Sequence, residues 1–414
     1  YLIKRKRSLL ILILGLLSAI GPFSIDMYLP GFPAIATDLH TTVDNVSYSL
    51  SSFFIGICAG QLICGPLLDR FGRKRPLYVG LVIYITASLG CAMSNSVELL
   101  IGFRFLQAIG GCVGMVAPGA IVRDVFPVNE NAKIFSLLIL ILGVSPIVAP
   151  TVGSYLIIAF GWHAVFILLA IITSLLLIAV IFLLPESKQP DPSMSLRPQH
   201  ILNGFLLVLK QPQFFTYAFA GATAAAGLFA YLAGSPFLFM KIFKVSEQHY
   251  GLIFGLIAAG LITSSQLNNV LLKKYTSEQI IKKVLLVQTI IGLLLCIESI
   301  FDWLNLYSAI GLMFLFLSCQ GFSFPNSSAL SLAPFTKEAG SASALMGAMQ
   351  MGFGAGASAL VGILSNGGSL PMTGVMAGCA LLGFIILSIG SKRTQYRSRL
   401  EDVEEQAFEL IEKY

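Results

Sequence analysis

The sequence predicts an all-α polytopic membrane protein, and two observations support that fold class. Hydrophobic residues make up 56% of the 414-residue chain and charged residues only 11%, whereas soluble domains carry roughly 25% charged residues. The apolar residues are also grouped into runs of about 20, the length at which a helix crosses a bilayer. A soluble fold of this size could not cover its surface with so few charges, so the lipid bilayer is an expected partner.

Polar breaks divide the chain into twelve predicted spans. They lie near residues 8–29, 44–67, 77–95, 98–121, 133–158, 164–184, 213–236, 248–271, 284–301, 305–325, 341–364 and 370–390. The longest polar connection follows span six and gives four regions: an N-terminal six-helix bundle at 1–184, a cytoplasmic linker at 185–212, a C-terminal six-helix bundle at 213–390 and a cytoplasmic tail at 391–414. Six spans plus six is typical of a transporter built from two related halves around a central site.

The positions of the basic residues predict the orientation. If both termini are cytoplasmic, 23 of the 26 lysines and arginines lie inside, Lys241 and Lys244 lie outside, and Arg104 alone lies within a span. Such a bias is the rule for cytoplasmic loops. Nucleic-acid binding would need one continuous basic face, and the separate clusters predict no such partner.

The loop between spans two and three, "GPLLDRFGRKRPL" at 65–77, has the most specific pattern in the chain. Its charged cluster could dock on the opposite half, with Asp69 facing the N-terminus of another helix, where negative charge is favoured. Gly65 would permit close helix approach and Gly72 a tight turn. Topogenic charge alone would explain the basic residues but not the Asp–Gly spacing.

This loop resembles the signature loop of the major facilitator superfamily. The resemblance covers Gly65, Asp69, Arg70, Gly72, Arg73 and Lys74. In that family the loop acts as a latch between conformations, so the resemblance implies a conformational latch here.

Asp26 and Arg104 are the acid and the base that lie inside predicted spans. An arginine in a bilayer costs roughly 2.5–3.5 kcal/mol on insertion scales. At ~1.5 Å per residue both side chains fall ~6–9 Å beneath the outer boundary. We therefore expect Arg104 to pair with Asp26, and a carboxylate that is exposed alternately to the two sides could carry protons. A static salt bridge between spans one and four is the alternative.

Span five contains "LGVSPIVAPTVGSYL", in which two prolines a turn apart kink the helix and glycines allow close packing. The motif residues are Gly143, Pro146, Pro150 and Gly153. They resemble the glycine–proline motif of facilitator-superfamily antiporters, although Ser145 precedes Pro146 and Pro150 replaces a glycine. An ordinary kinked helix is the alternative.

Further motifs define a subgroup. "SIDMYLPGFP" (24–33), "RFLQAIGG" (104–111), "AIVRDVF" (120–126) and "GFSFPNSSALSLAPFTKEAGSASALMGAMQM" (321–351), with the loop and the span-five motif, resemble the Bcr/CflA, bicyclomycin-resistance type of drug–proton antiporter. The resemblance implies the major facilitator fold and export of small, mostly apolar compounds in exchange for protons. It also implies a bacterial inner membrane location, and proton coupling at Asp26 and Arg104.

Polar, aromatic and methionine side chains at mid-depth could line a substrate cavity, since a mainly apolar pocket with few polar groups suits varied organic molecules. The candidates are Tyr28, Tyr48, Gln61, Gln107, Met115, Tyr231, Asn268, Asn326, Met346 and Gln350. Any of the polar ones could instead form a helix–helix hydrogen bond, worth about 0.6 kcal/mol on average in membranes.

Other functional classes fit the sequence less well. It has no HExxH, nucleophile elbow or phosphate-binding glycine loop, so we expect no enzyme, and the proton gradient rather than a cofactor would drive transport. The seven cysteines show no metal-ligand spacing. The leading hypothesis is a monomeric proton-coupled exporter. A proton-coupled importer of a small nutrient, such as a peptide or siderophore-like molecule, is the alternative, and a transporter-like sensor is a third.

Overall fold

A computed structural model describes residues 2–126, 128–191, 198–335 and 339–412. Within these ranges there are helices and turns but no strand. The α-helices are α1 Leu2–Asp26, α2 Phe32–Asp38, α3 Val43–Phe71, α4 Lys74–Ala92, α5 Val97–Val125, α6 Val128–Phe160, α7 His163–Leu183, α8 Pro198–Leu209, α9 Pro212–Pro236, α10 Glu247–Leu271, α11 Ser277–Ile300, α12 Leu306–Leu332, α13 Ala339–Ile363 and α14 Leu370–Glu412. A 3₁₀ turn, Leu29–Gly31, precedes α2, and a π-helical turn, Phe237–Ile242, follows α9.

The fold class predicted from the sequence is confirmed. In the described part of the chain, eleven helices are long and apolar enough to cross a membrane. The remaining predicted span, 133–158, lies in α6, whose described apolar stretch is Val144–Phe160. The chain is a multi-pass membrane protein.

Polar side chains fix the starts of five helices. Each accepts a backbone N–H that the first turn leaves unpaired. The capping residues are Thr42 for α3, Ser96 for α5, Ser246 for α10, Thr276 for α11 and Asn305 for α12. Every one comes directly before a helix that is long and apolar enough to cross a membrane, so the capping residue and the start of the span agree.

The helices form two groups, and the groups meet along two lines. Among the N-terminal helices, α3 and α4 pack on α5, α4 packs on α7, and α1 packs on α6. Among the C-terminal helices, α9 packs on α13 and α14, α10 on α12, and α11 on α12 and α14. The groups meet where α3 packs on α13 and α6 on α10. The four predicted region boundaries remain predictions.

At one end of the molecule the two groups are in direct contact, and we call it the closed end. The connections at this end are 27–42, 93–96, 161–162, 237–246, 301–305 and 364–369. We call the opposite end, which carries the basic loops, the basic end, and its connections include 72–73, 184–191 and 272–276. Ser154 Oγ of α6 donates a hydrogen bond to the Glu247 carbonyl oxygen at 2.9 Å. Nearer the middle, the Phe54 and Phe229 rings meet edge to face at 4.5 Å.

Three helical segments were not anticipated. Helix α2 follows span one directly, and Trp162 Nε1 donates to Asp38 Oδ2 at its end at 3.0 Å. Helix α8 occupies part of the predicted linker, and its buried Val208 packs against Phe214 and Ala218. Helix α14 continues beyond residue 390, so its backbone has no break at the predicted start of the tail.

Candidate functional site

Asp26 is the last residue of α1. Its side chain is 5% exposed and has no hydrogen-bond or ion-pair partner among the described residues. The carboxyl lies within electrostatic range of the Tyr231 hydroxyl on α9 and the Tyr250 hydroxyl on α10. Tyr250 shares a 2.9 Å hydrogen bond with Ser235, whereas the Tyr231 hydroxyl has no partner in the described chain. Asp26 therefore lies at the junction of the two helix groups, near the closed end.

Arg104 lies in the core of the N-terminal helices and is fully buried. Its Nη1 donates to Gln107 Oε1 at 2.6 Å. Its guanidinium carbon is 4.1 Å from the centre of the Phe53 ring and 4.4 Å from that of Tyr28, a favourable setting for a desolvated cation. Nε and Nη2 have no hydrogen-bond partner in the described chain.

The expected Asp26–Arg104 ion pair is absent from the described residues. Depth along a helix follows from the rise per residue, but direction around it depends on the 3.6-residue turn and on packing. Arg104 contacts Gln107 and Phe53 inside its own helix group, whereas Asp26 lies within electrostatic range of Tyr231 and Tyr250. The pairing prediction is therefore wrong for this conformation, while the roles of both residues in proton coupling remain predictions.

The signature loop forms a charged cluster at the basic end. Arg73 Nη1 donates to Asp69 Oδ1 at 3.1 Å, and Arg73 Nε donates to Asp124 Oδ2 at 2.8 Å. Burial by itself disfavours the charged guanidinium, but the hydrogen bond and charge of Asp124, followed by those of Asp69, raise the pKa of Arg73 above its ordinary value. Arg73 therefore stays a cation that holds α3, α4 and α5 together. Asp124 belongs to the "AIVRDVF" motif, and the sequence did not predict its ion pair with Arg73.

One expectation about this loop is wrong, and one stays a prediction. Asp69 binds the side chains of Arg73 and Lys188, and its placement at the N-terminus of another helix stays a prediction. No atom lies within 4 Å of where a Cβ on Gly65 would be, so this glycine does not serve close helix approach. The tight turn is present at Gly72, whose φ of 79° suits glycine.

The other two loop residues also make defined contacts. Lys74 Nζ donates to the Ile181 carbonyl oxygen at 3.2 Å. The Arg70 carbonyl oxygen accepts the Asp191 N–H at 3.1 Å. Both contacts tie the loop to the end of α7 and the chain that follows it.

The span-five motif places α6 between α1 and α10 at the closed end. Pro146 and Pro150 both lie inside α6. A Cβ on Gly153 would overlap the Met27 carbonyl oxygen, so only glycine fits there. A Cβ on Gly251 of α10 would lie 3.3 Å from the Pro150 carbonyl oxygen. Gly143 also lies in α6, but its surroundings fall outside the described side chains.

Three of the predicted cavity residues lie in the core of the N-terminal helices. The Tyr28 hydroxyl shares a 2.9 Å hydrogen bond with Ser49. Gln107 is fully buried and bound to Arg104. Met115 packs directly against α1, where a Cβ on Gly21 would meet its sulfur. These contacts match the alternative of helix–helix packing.

Three more lie among the C-terminal helices. Asn326 Nδ2 of α12 donates to Asn268 Oδ1 of α10 at 2.7 Å, deep in the second helix group. Ser331 Oγ donates to Met346 Sδ at 3.2 Å near the basic end. Asn326 keeps one buried oxygen that has no partner in the described chain.

The last four predicted cavity residues are closer to the junction of the groups. A Cβ on Gly362 of α13 would lie 2.9 Å from the Tyr48 ring, and one on Gly347 would lie 2.7 Å from Gln61 Oε1. Tyr231 lies near Asp26, as described above, and Gln350 is buried in α13. The ten residues therefore fall into three environments, and their role in lining a substrate cavity stays a prediction.

Comparison with known proteins agrees with this architecture. The sequence pattern of the Major Facilitator Superfamily matches residues 14–359. A bicyclomycin resistance protein homolog of Haemophilus influenzae is 32% identical over 375 residues, covering 91% of this chain and 94% of that protein. The multidrug resistance protein MdtL of Escherichia coli is 28% identical over 376 residues, covering 88% and 91%.

Two solved structures share the fold at low sequence identity. A bacterial homolog of the human lysosomal transporter Spinster, in an inward-facing and unoccupied conformation, is 15% identical with a TM-score of 0.69, covering 93% of this chain and 95% of that one. The D-xylose–proton symporter is 14% identical with a TM-score of 0.68, covering 92% and 96%. The matched family and the fold are those of transporters, not enzymes.

Proposed function

The chain belongs to the Major Facilitator Superfamily, and we propose that it is a proton-coupled antiporter that exports small, largely apolar drugs or metabolites. The similarity to a bicyclomycin resistance protein homolog and to a multidrug resistance protein over about nine tenths of the chain supports export of drug-like compounds. The observation that carries the proposal is Asp26, a buried carboxyl without a hydrogen-bond or ion-pair partner in the described chain, at the junction of two helix groups. A group placed there would be exposed to one side or the other as the groups rock.

Asp26 is the proposed proton carrier. A carboxyl with no fixed partner exchanges its proton without first breaking an ion pair, and that favours transport over a static salt bridge. Arg104 is held by Phe53, Tyr28 and Gln107 close to the same depth. Its Nε and Nη2, which have no partner among the described residues, leave it able to bind a carboxylate in another conformation.

Alternating access is supported by the asymmetry of the contacts between the helix groups. The Ser154–Glu247 hydrogen bond and the close approach of Gly251 to Pro150 join α6 and α10 at the closed end. We propose that this end faces outward, since 23 of 26 basic residues then lie in the cytoplasm together with both termini. The chain would act as a monomer in the bacterial inner membrane, with the span-five motif sealing the outer side and the signature loop acting as the latch.

An apolar groove offers a route for apolar compounds. It has a volume of 560 Å³ and lies between α3, α9, α13 and α14, with Leu62, Phe353 and Leu360 among its lining residues. A concave and mostly apolar surface suits small organic molecules. The predicted cavity residues at the junction, Tyr48 and Gln61 among them, could supply polar contacts when the groups separate.

The alternative of nutrient import is weaker, because both named relatives above are resistance proteins. Everted membrane vesicles with an acidic interior separate the two hypotheses. A panel of apolar antibiotics, lipophilic cations, amino-acid derivatives and small peptides is added while a dye reports the interior pH. An exporter releases interior protons when its substrate is added. Proton and nutrient entering right-side-out vesicles together, with no release in everted ones, would contradict export.

A further inference from the structure

The three residues Glu186–Lys188, here named the clasp, fold back from the end of α7 onto the signature loop. Glu186 Oε1 accepts the backbone N–H of Arg73 at 2.8 Å, and Oε2 accepts that of Lys74 at 3.2 Å. These N–H groups lie at the start of α4, where a helix leaves donors unpaired and favours negative charge. Glu186 therefore fixes the N-terminus of α4 from outside that helix.

Ser187 and Lys188 bind the two carboxylates of the same cluster. Lys188 Nζ lies 2.7 Å from Asp69 Oδ1, and Ser187 Oγ donates to Asp124 Oδ2 at 3.0 Å. Arg73 joins the same two carboxylates from the other side. Hydrogen bonds link these five side chains in one continuous series from Lys188 to Ser187, in which both positive charges are matched by negative ones.

The clasp fits closely against the turn of the loop. A Cβ on Gly72 would lie 3.0 Å from the Lys188 carbonyl oxygen and 3.1 Å from Glu186 Oε2. A little further along, the Asp191 N–H donates to the Arg70 carbonyl oxygen at 3.1 Å. The contact is therefore continuous rather than a single ion pair.

A latch between the two halves would require Asp69 to reach the C-terminal helices. In this conformation its partners, Arg73 and Lys188, both belong to the N-terminal side of the chain. We propose that the clasp competes with the C-terminal helices for Asp69: it holds the loop while the closed end is sealed and releases it when the basic end closes. The inference rests on the alternating access of the proposed function, and it makes Glu186 and Lys188 positioning residues of the latch.

Distance measurements between spin labels test this competition without any substrate. Labels at Leu9 of α1 and Lys274 after α10, both exposed near the basic end, report the separation of the two groups in a background without native cysteines. Loss of Lys188 frees Asp69, so Lys188→Gln should raise the ratio of short to long distances about two- to fivefold, the range for a half-exposed ion pair. Glu186→Gln should shift the ratio in the same direction.

Two controls make the result specific. Lys282→Gln removes an exposed lysine at the same end of the C-terminal helices and should leave the distances unchanged. Adding Lys188→Gln to Asp69→Asn should not change the distance ratio further, because the carboxylate for which the clasp and the C-terminal helices compete is already gone. A lower Tm for Lys188→Gln with an unchanged distance ratio would overturn the proposal and leave the clasp a purely structural contact. The spin-label measurement needs no transported compound, so its outcome is independent of whether the vesicle assay finds proton-coupled export.

Discussion

Arg104 is a fully buried cation that rests on aromatic rings rather than beside a carboxylate. The ring centres of Phe53 and Tyr28 lie 4.1 and 4.4 Å from its guanidinium carbon. Gln107 Oε1 accepts a hydrogen bond from its Nη1. Desolvated cation–π contacts are worth about 2 kcal/mol or more. The planar guanidinium can stack on a ring and still donate sideways, which an ammonium cannot do.

Arg104→Lys should therefore lower Tm and reduce transport while the protein still inserts. The loss of the hydrogen bond to Gln107 and of the stacking should cost about 1–3 kcal/mol. Thermal unfolding of the purified protein and the vesicle assay measure the two effects. Arg75→Lys, at an exposed arginine of the 65–77 loop that is not among its motif residues, is the control and should behave as wild type. Equal Tm and equal transport for both variants would contradict the role of the guanidinium.

Side-chain direction was not predictable at this scale. Asp26 and Arg104 both lie in the bilayer-spanning part of the chain, as their positions in the apolar runs indicate. Each residue turns a helix by about 100°, so a small difference in packing decides which neighbour a side chain meets. A signal for Arg104 was present: Gln107, three residues later, lies on the same helix face and is its hydrogen-bond partner.

At the scale of the element, α6 depends on a glycine that touches the neighbouring backbone. A Cβ on Gly153 would overlap the carbonyl oxygen of Met27, whereas no atom lies within 4 Å of the same position on Gly102 of α5. Alanine favours a helix over glycine by about 1 kcal/mol. The two glycines are therefore matched in conformation but opposite in available space.

Gly153→Ala should lower Tm and transport, since forcing an extra methyl into a packed contact costs about 1–3 kcal/mol. Gly102→Ala should leave both unchanged or raise Tm slightly. Both variants are compared by thermal unfolding and by the vesicle assay. If Gly153→Ala is as stable and active as Gly102→Ala, the packing of α6 on residue Met27 is not what the motif provides.

The sequence predicted elements well where a long apolar run determined them and poorly elsewhere. The described apolar helices coincide with predicted spans because burial in lipid requires both length and composition. Helices α2 and α8 are short, and tertiary contacts such as Trp162–Asp38 and Val208–Phe214 hold them. Such segments are too short to show the apolar run of about 20 residues that predicts a membrane span.

At the scale of the whole molecule, the two helix groups touch through side chains that only a folded chain brings together. Ser51 Oγ of α3 lies 2.7 Å from Ser358 Oγ of α13. Neighbouring Ser52 faces another way, because its Oγ donates to the Ile101 carbonyl oxygen of α5 at 2.9 Å. This pair of adjacent serines allows a matched cross-linking test.

Ser51→Cys combined with Ser358→Cys should form a disulfide on mild oxidation, in a background without native cysteines. The two oxygens lie 2.7 Å apart, and because a C–S bond is longer than a C–O bond, two sulfurs at these positions can approach the roughly 2.05 Å of an S–S bond. Mass spectrometry detects the linked peptides, and transport should stop on oxidation and return on reduction. Ser52→Cys with Ser358→Cys is the control and should not cross-link. Full transport by the cross-linked protein would show that the groups need not separate here.

The central claim is that Asp26 carries the proton that drives export, and substrate-dependent proton release from everted vesicles tests it most directly. Wild type and Asp26→Asn are compared at equal expression, with Glu98→Gln, an exposed carboxylate of α5, as the control. We predict that wild type and Glu98→Gln release protons when a transported compound is added and that Asp26→Asn does not. Proton release by Asp26→Asn at the wild-type rate would contradict the account.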